Sequence, residues 1–445
     1  MSELALLGGR KAITLDPADM FRWPIVTKED EDAVLDVLRR GAMSYTDVTV
    51  EFEKEFATWQ GTRHALAMSS GTAAVQSAMY GCKVGVGDEV ICPGMTYWAS
   101  ALPCYSLGAT PVFADIDAQT LCLDAEDIEH RITDRTRAIV AVHMLGHPCD
   151  MDPIMEIARR HNVKVIEDVS HAHGGLYKGR RVGAIGDVAA YSVMSGKPLA
   201  TGEGGMLATN DTETYERALA FGHYERYGTS LQTEYLRETA GLPLGGYKYR
   251  IHQMSSAVGR VQLRHYDQRM AEIQKSLNYF WDLLKSVPGL RAHRPAKDSG
   301  STMGGWYDSR GLYVPEELGG LSVTRFCQAV CAEGISMCRA GAYSAMHLHP
   351  LFNTCDVYGH GMPTRIANSA RDVRQPAGSL PVCEGIGRRV VGVPWFKHYR
   401  PEVIEEYARA YKKVVECHQE LLTDDPGNPE DLGGWSLFRS QPTRA

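Results

Sequence analysis

Val165-Ile166-Glu167-Asp168, and 23 residues beyond Asp168 Tyr191-Ser192-Val193-Met194-Ser195-Gly196-Lys197, decide how this chain is read. The first stretch is an apolar strand ending in two carboxylates. Ligands of open α/β sheets bind at such strand ends, so a carboxylate there either anchors a cation, such as a protonated pyridine, or caps a turn. The second stretch leaves a strand and enters a Gly-containing loop that carries Lys197 and continues into Gly202-Glu203-Gly204-Gly205. A loop lysine forms a Schiff base when its surroundings deprotonate the amine, although most single lysines are simply solvated.

Working outward, short apolar runs alternate with helical periodicity. Strands are expected at Ala65–Met68, Glu89–Cys92, Thr110–Ala114, Thr136–Val142, Lys164–Glu167, Val188–Val193 and Gly205–Thr209. Helices are expected between them at Ala73–Gly81, Ala99–Ser106, Ala125–Ile132 and Asp152–His161. This alternation, with strands apolar along their length, predicts a mostly parallel sheet covered on both faces. Two amphipathic helices, Thr27–Gly41 and Asp47–Trp59, precede it. One long helix over Met254–Val287 is expected to bridge two domains, residues 296–306 read as a loop, and a last helix covers Pro401–Leu422. The tail from Thr423 is either weakly structured or packed through Trp435, Leu437 and Phe438.

Composition narrows the function. The 445 residues are 44% hydrophobic and 23% charged, with a net charge of −7, which fits a folded chain and gives no positive field for nucleic acid or anionic lipid. Mean hydropathy is −0.26, and no run nears the roughly 20 apolar residues that span a bilayer. The first ten residues lack a signal peptide's pattern, and the eleven scattered cysteines contain no CxxC pair, so reduced thiols in a cytoplasm are expected. His347-Leu348-His349 lacks the further ligands of a metal site, and Gly85-Val86-Gly87-Asp88 lacks the third glycine of a dinucleotide fingerprint. Ser69-Ser70-Gly71-Thr72-Ala73-Ala74 follows a strand and opens a helix, a place that either cradles a phosphate or merely caps the helix.

In their order and spacing, Ser70-Gly71-Thr72-Ala73-Ala74, Thr96-Tyr97-Trp98-Ala99-Ser100, Glu167-Asp168, Ser192 with Lys197, Gly202-Glu203-Gly204-Gly205 and Tyr249-Arg250 resemble the DegT/StrS sugar-aminotransferase family of fold-type-I pyridoxal phosphate enzymes. The likeness runs from about Gly8 to Leu422. Leu4-Ala5-Leu6-Leu7-Gly8-Gly9, Gly245-Gly246-Tyr247-Lys248 and Pro394-Trp395-Phe396-Lys397-His398 are similar to the branch that aminates keto-cyclitols of the scyllo-inosose type in aminoglycoside-type antibiotic biosynthesis.

The resemblance implies a large, mostly parallel α/β domain with a smaller C-terminal α+β domain. We divide the chain into a leader (1–26), the large domain (27–275), the small domain (276–422) and a tail (423–445). Lys197 matches the lysine that carries the cofactor and moves the proton. Asp168 matches the carboxylate on the pyridine nitrogen, and Tyr97 the aromatic residue stacked on the ring. Gly71, Thr72 and Ser192 match the phosphate cup. His171 stands where the family often has Gln beside the cofactor oxygen, which predicts a changed pH response. Lys248 stands where many members have an Asn that reaches the phosphate of the neighbouring subunit; it either binds that phosphate or is solvated. A homodimer with shared sites is implied. Arg250 is a candidate for the donor carboxylate or for an interface.

The implied donor is glutamine or glutamate, and the acceptor a keto-cyclitol or keto-sugar. Tyr343, His347, His349 and Tyr224 are candidate contacts for its hydroxyls. No basic cluster suits a nucleotide diphosphate, which favours a free cyclitol over a nucleotide-linked sugar. A lysine at 197 argues against the related dehydratases, which carry His there, and the complete residue set argues against a non-catalytic regulator.

Overall fold

A computed structural model describes residues 2–226, 231–430 and 432; Trp435, Leu437 and Phe438 lie outside them. Seven strands form the main sheet: β1 (His64–Met68), β2 (Glu89–Pro93), β3 (Thr110–Ala114), β4 (Thr136–Val142), β5 (Lys164–Asp168), β6 (Val188–Ser192) and β7 (Gly205–Thr209). Their order is β1-β7-β6-β5-β4-β2-β3. β2 to β6 run parallel, and β7 pairs antiparallel with both β1 and β6. β2, β3 and β7 are buried along their whole length, as the unbroken apolar runs require of a sheet covered on both faces.

Helices α1 (Lys28–Arg39), α2 (Asp47–Gln60), α3 (Gly71–Gly81), α4 (Ala125–Arg131), α5 (Met151–His161) and α6 (Thr212–Gly222) belong to this domain. β2 lies between β3 and β4, so the chain leaves it towards one side and returns on the other. That switch point, at the carboxyl ends of the strands, is where open α/β sheets place a ligand.

Two expected helices are broken. Ala99–Ser106 is a 3-10 turn at Trp98–Ser100 followed by a short helix at Pro103–Ser106, because Pro103 has no N–H to continue the first turn and favours the start of the second. Met254–Val287 divides into α7 (Gln253–Arg264) and α8 (Tyr266–Leu283). His265 between them has ψ near −3° and its ring meets Glu29 of α1 at 2.8 Å.

The smaller sheet is antiparallel: β8 (Leu290–Ala292), β9 (Arg310–Tyr313) and β10 (Val390–Gly392). α9 (Val323–Ala332) and α10 (Pro401–Glu416) pack with it, and Tyr411 of α10 meets Phe280 of α8 at 5.5 Å between ring centroids. The described segments near both ends join this unit. Buried Glu333 accepts from Ala5 N and Ala12 N, each at 2.9 Å, and from Lys413 Nζ at 2.8 Å. In the tail, Asp425 accepts from Ser322 N at 2.7 Å, and Asn428 from Thr324 N at 3.1 Å, which satisfies free donors at the start of α9.

Candidate active site

The carboxyl ends of β1, β2, β5 and β6 converge on a cavity of about 300 Å³. Gly71, Thr72, Tyr97, Asp168, His171, Ser192, Lys197 and Tyr343 all line it, so eight of the residues singled out from the sequence, drawn from distant segments, meet in one place.

At the first wall, β1 ends and α3 begins. Ser70 caps the helix, its Oγ accepting from Ala73 N at 3.1 Å. The N–H groups of Gly71 and Thr72 then have no carbonyl within the helix and carry its positive end. A Cβ at Gly71 would stand 2.6 Å from Ser192 Cβ, so only glycine lets the start of α3 approach the end of β6 this closely. Backbone N–H, Thr72 and Ser192 hydroxyls and a helix dipole make a donor set suited to a phosphate.

Asp168 closes β5. Its Oδ2 accepts from Ser100 Oγ at 2.8 Å, and its Oδ1 from Ser170 N at 3.1 Å. Ser170 Oγ in turn accepts from Ser192 N at 2.9 Å, tying the carboxylate end to the phosphate end. Neighbouring Glu167 faces the opposite way. It is fully buried and accepts from Gly183 N (2.7 Å), Ile185 N (2.8 Å), Gly186 N (2.6 Å) and His143 Nε2 (3.0 Å). Burial by itself would raise its pKa, but His143 and the backbone donors outweigh it and hold the carboxyl below its ordinary value. The two acids therefore divide the labour: Glu167 fixes the turn after β5, and Asp168 points into the cavity.

Lys197 lies in the loop between β6 and β7, with its N–H on Met194 O at 2.8 Å and its carbonyl accepting from Trp23 Nε1 at 2.9 Å. It is only 8% exposed. Burial lowers its amine to a pKa of about 8, against the opposing attraction of Asp168 and Asp308. Nζ sits 4.0 Å from the centroid of the Tyr307 ring. His171 stacks on the other aromatic residues, 4.5 Å from Tyr307 and 6.0 Å from Tyr343 between centroids. Leu145 N donates to His171 Nδ1 at 3.3 Å, which leaves the ring proton on Nε2. Burial, with Lys197 adding to it, pushes the imidazole pKa well below its ordinary value. The shift favours the neutral ring, with its proton on Nε2.

Other candidate residues lie outside this cavity. His347 does not reach the cavity: it is fully buried, with Nε2 2.9 Å from Glu384 Oε1, and holds the small domain together. His349 Nδ1 accepts from Leu351 N at 3.2 Å as a helix cap. Tyr224 does not line the cavity; Lys248 Nζ stands 5.8 Å from its ring. Arg250 bridges to Met68 through its backbone and pairs with Glu225 at 3.4 Å, and neither Lys248 nor Arg250 lines the cavity of its own chain.

Sequence reasoning gave no role to Thr96, Ser100, Ser170, Glu203 or Tyr307, all of which line the cavity. Ser100 and Ser170 lay inside or beside quoted motifs. Tyr307 follows Gly304-Gly305 at the end of the stretch read as a loop. A Cβ at Gly304 would stand 2.1 Å from Ala172 O, and that close approach is the signal the glycine pair carried.

Known proteins agree with this geometry. The chain is 34% identical over 342 residues to the GDP-perosamine synthase of Caulobacter vibrioides, covering 74% of this chain and 88% of that protein. It is 32% identical over 418 residues to the L-glutamine:2-deoxy-scyllo-inosose aminotransferase of Streptoalloteichus tenebrarius, covering 90% and 95%. The X-ray structure of the aminotransferase from Psychrobacter cryohalolentis superposes with a TM-score of 0.77 at 30% identity, covering 90% of this chain and all of that one. The family model for DegT/DnrJ/EryC1/StrS aminotransferases matches residues 24–402, a span that contains every cavity residue from Ser70 to Tyr343. By sequence, fold and the convergence of these side chains, this chain belongs to the DegT/DnrJ/EryC1/StrS family of pyridoxal phosphate-dependent aminotransferases.

Proposed function

We propose that the chain transfers an amino group from glutamine or glutamate to a keto-cyclitol or related keto-sugar, using pyridoxal phosphate held in the Lys197 cavity. The observation that carries this reading is the cavity itself, where a helix N-terminus, a strand-end carboxylate and a buried lysine face one space. When bound, the cofactor supplies an aldehyde that captures the amine and a ring that takes up the electron pair left on the donor carbon. The start of α3 with Thr72 and Ser192 would hold its phosphate, and Asp168 would keep a proton on its ring nitrogen. Tyr97 and His171 would hold the ring between them and the cavity wall, with the Nε2–H of His171 as a donor to it.

Lys197 Nζ moves the proton. With a pKa of about 8, the amine exists in both forms near neutral pH, the condition for taking a proton from the donor carbon and giving one back. The acceptor half-reaction runs the same proton movements in reverse. Among the described residues Lys197 is the only Lys or Arg lining the cavity, which favours an uncharged polyol ketone as acceptor. Likeness to the inosose aminotransferase along nearly the whole of both chains supports the same choice and its place in aminocyclitol synthesis. Likeness to GDP-perosamine synthase supports a second reading, a nucleotide-linked keto-sugar.

Two subunits complete the site in this reading. Lys248 and Arg250 do not line the cavity of their own chain, and Leu242 and Leu244, a few residues before them in the sequence, are 73% and 40% exposed. An apolar surface of this kind suits a two-fold contact that carries the 245–250 loop to the partner. The division into a large domain at 27–275 and a small domain at 276–422 belongs to the same reading.

Borohydride reduction of the holoenzyme followed by peptide mapping tests the assignment: the label is expected on Lys197, and a label on any other lysine refutes it. Adding each candidate ketone to the aminated enzyme then ranks acceptors by the return of the aldehyde-form absorbance, and a faster return with a nucleotide-linked keto-sugar refutes the cyclitol choice alone.

A further inference from the structure

Tyr97, Tyr307 and Tyr343 form a wall common to the Lys197 cavity and to a second chamber of about 600 Å³. Three charged side chains line the second chamber: Asp308, Arg310 and Arg339. Arg310 Nη2 donates to Asp308 Oδ2 at 2.7 Å, and Arg339 Nη2 to Asp308 Oδ1 at 3.0 Å. One carboxylate thus spends one oxygen on each guanidinium. Arg310 is only 6% exposed, yet its Nε has no partner. Two arginines against one aspartate leave a single uncompensated positive charge and a buried donor in want of an acceptor.

The carboxylate between them is held firmly. Asp308 and Trp306 both have left-handed backbone, with φ of 47° and 54°. That conformation is fixed by Ser309 Oγ donating to Trp306 O at 2.8 Å and by Trp395 Nε1 donating to Gly305 O at 3.0 Å.

We propose that Arg310 and Arg339, bridged by Asp308, bind a carboxylate of the amino-acid donor. This rests on the aminotransferase reading above and deepens it. A keto-cyclitol has no charge to place here. A nucleotide diphosphate brings at least two negative charges, against one positive charge left over. An amino acid matches: a carboxylate balances the one positive charge left over, and the chamber that holds it meets the Lys197 cavity at the tyrosines they share. Arginine's planar fork is suited to that group.

The test uses holoenzyme and three non-reactive donors that lack the α-proton: 2-methylglutamate, 2-methylglutamine and the α-carboxamide of 2-methylglutamine. Binding is read by calorimetry on wild type, Arg339→Gln and Arg339→Lys. Arg339 is half exposed on a loop, so folding of the variants is expected to survive, and their melting curves check it. If the site takes the α-carboxylate, Arg339→Gln weakens 2-methylglutamine by about tenfold or more and spares its α-carboxamide. If it takes the distal carboxylate, 2-methylglutamate weakens and 2-methylglutamine does not. In either case Arg339→Lys restores part of the loss. Equal weakening of all three compounds, no weakening of any, or weakening confined to an added nucleoside diphosphate overturns the proposal. Should wild-type holoenzyme transfer no amine from any natural donor, the aminotransferase reading fails instead, and the two failures are told apart.

Discussion

Replacing Lys197 by Met tests whether burial is what tunes the amine. Methionine keeps the unbranched stem and removes the charge. In the cofactor-free folded protein, burial has brought the amine to about 8 from its ordinary 10.5, with the pull of Asp168 and Asp308 already counted. Below pH 8 the amine is protonated in both folded and unfolded chains, and the folded chain bears the full cost of the charge. A gap of about 2.5 between the two values, at about 1.36 kcal/mol each, makes that cost about 3 kcal/mol. Between pH 8 and 10.5 the unfolded chain holds a proton the folded one has released, so wild-type stability rises with pH and the penalty fades. The Met variant should therefore be more stable than wild type at pH 7, with the advantage gone near pH 10.5. At about 2.1 cal/mol/K per residue, unfolding 445 residues carries about 0.9 kcal/mol/K, so the expected gain in Tm is about 3 °C. Scanning calorimetry of both cofactor-free proteins across this pH range measures it. A variant no more stable at pH 7, or an advantage that persists at pH 10.5, refutes the argument that desolvation tunes Lys197.

Asp168→Asn keeps the shape but loses the charge and presents an amide N–H to a pocket that already holds two donors; the donor half-reaction, followed by stopped-flow absorbance, is expected to slow by roughly 10²–10³-fold. Glu167→Gln places an amide against four N–H groups and is expected to cost about 3 kcal/mol at pH 7, measured by denaturant titration; because the carboxyl is held below its ordinary 4.5, the difference should shrink as pH falls under that value. Mixing Lys197→Ala subunits with subunits carrying Lys248→Ala and Arg250→Ala should regenerate one working site per hybrid dimer; no recovery of turnover means the 245–250 loop acts within its own chain.

The parallel part of the fold was legible because each strand is an unbroken apolar run bounded by turn residues. Thr110–Ala114 and Thr136–Val142 match the structure residue for residue, and so does the antiparallel strand Gly205–Thr209. Misread segments share a cause: periodicity continues across a point where one residue changes the backbone. Pro103 divides one helix, and His265 ends another where its ring meets Glu29. The Lys197 side of the site was legible for a different reason. Asp168, Ser192 and Lys197 sit at or just beyond strand ends, and strand ends of one sheet converge without any further folding information.

Tyr307 and the arginines behind it show where that convergence stops. Tyr307 reaches the cavity, and the arginines the chamber beside it, from the small domain, so their position depends on how one domain packs against another. Several of the contacts there are backbone to backbone, among them Gly304 N donating to Gly146 O at 2.8 Å and Thr302 N to Leu176 O at 2.8 Å, and they leave no pattern in side-chain hydrophobicity. The chain then turns through left-handed backbone at Trp306 and Asp308, positions where a sequence rule expects glycine. Such conformations persist only when their surroundings over-determine them. Here those surroundings are a buried indole on Gln274, Ser309 on Trp306 O, and two arginines on Asp308. His347 is the converse case. It was a candidate contact for the acceptor's hydroxyls, but Glu384, 37 residues further along the chain, meets its ring and it does not line the cavity. Sequence spacing therefore located groups that line the Lys197 cavity, whereas Tyr307 and the arginines of the second chamber are set by the packing of the small domain, the part of the chain whose pattern said least.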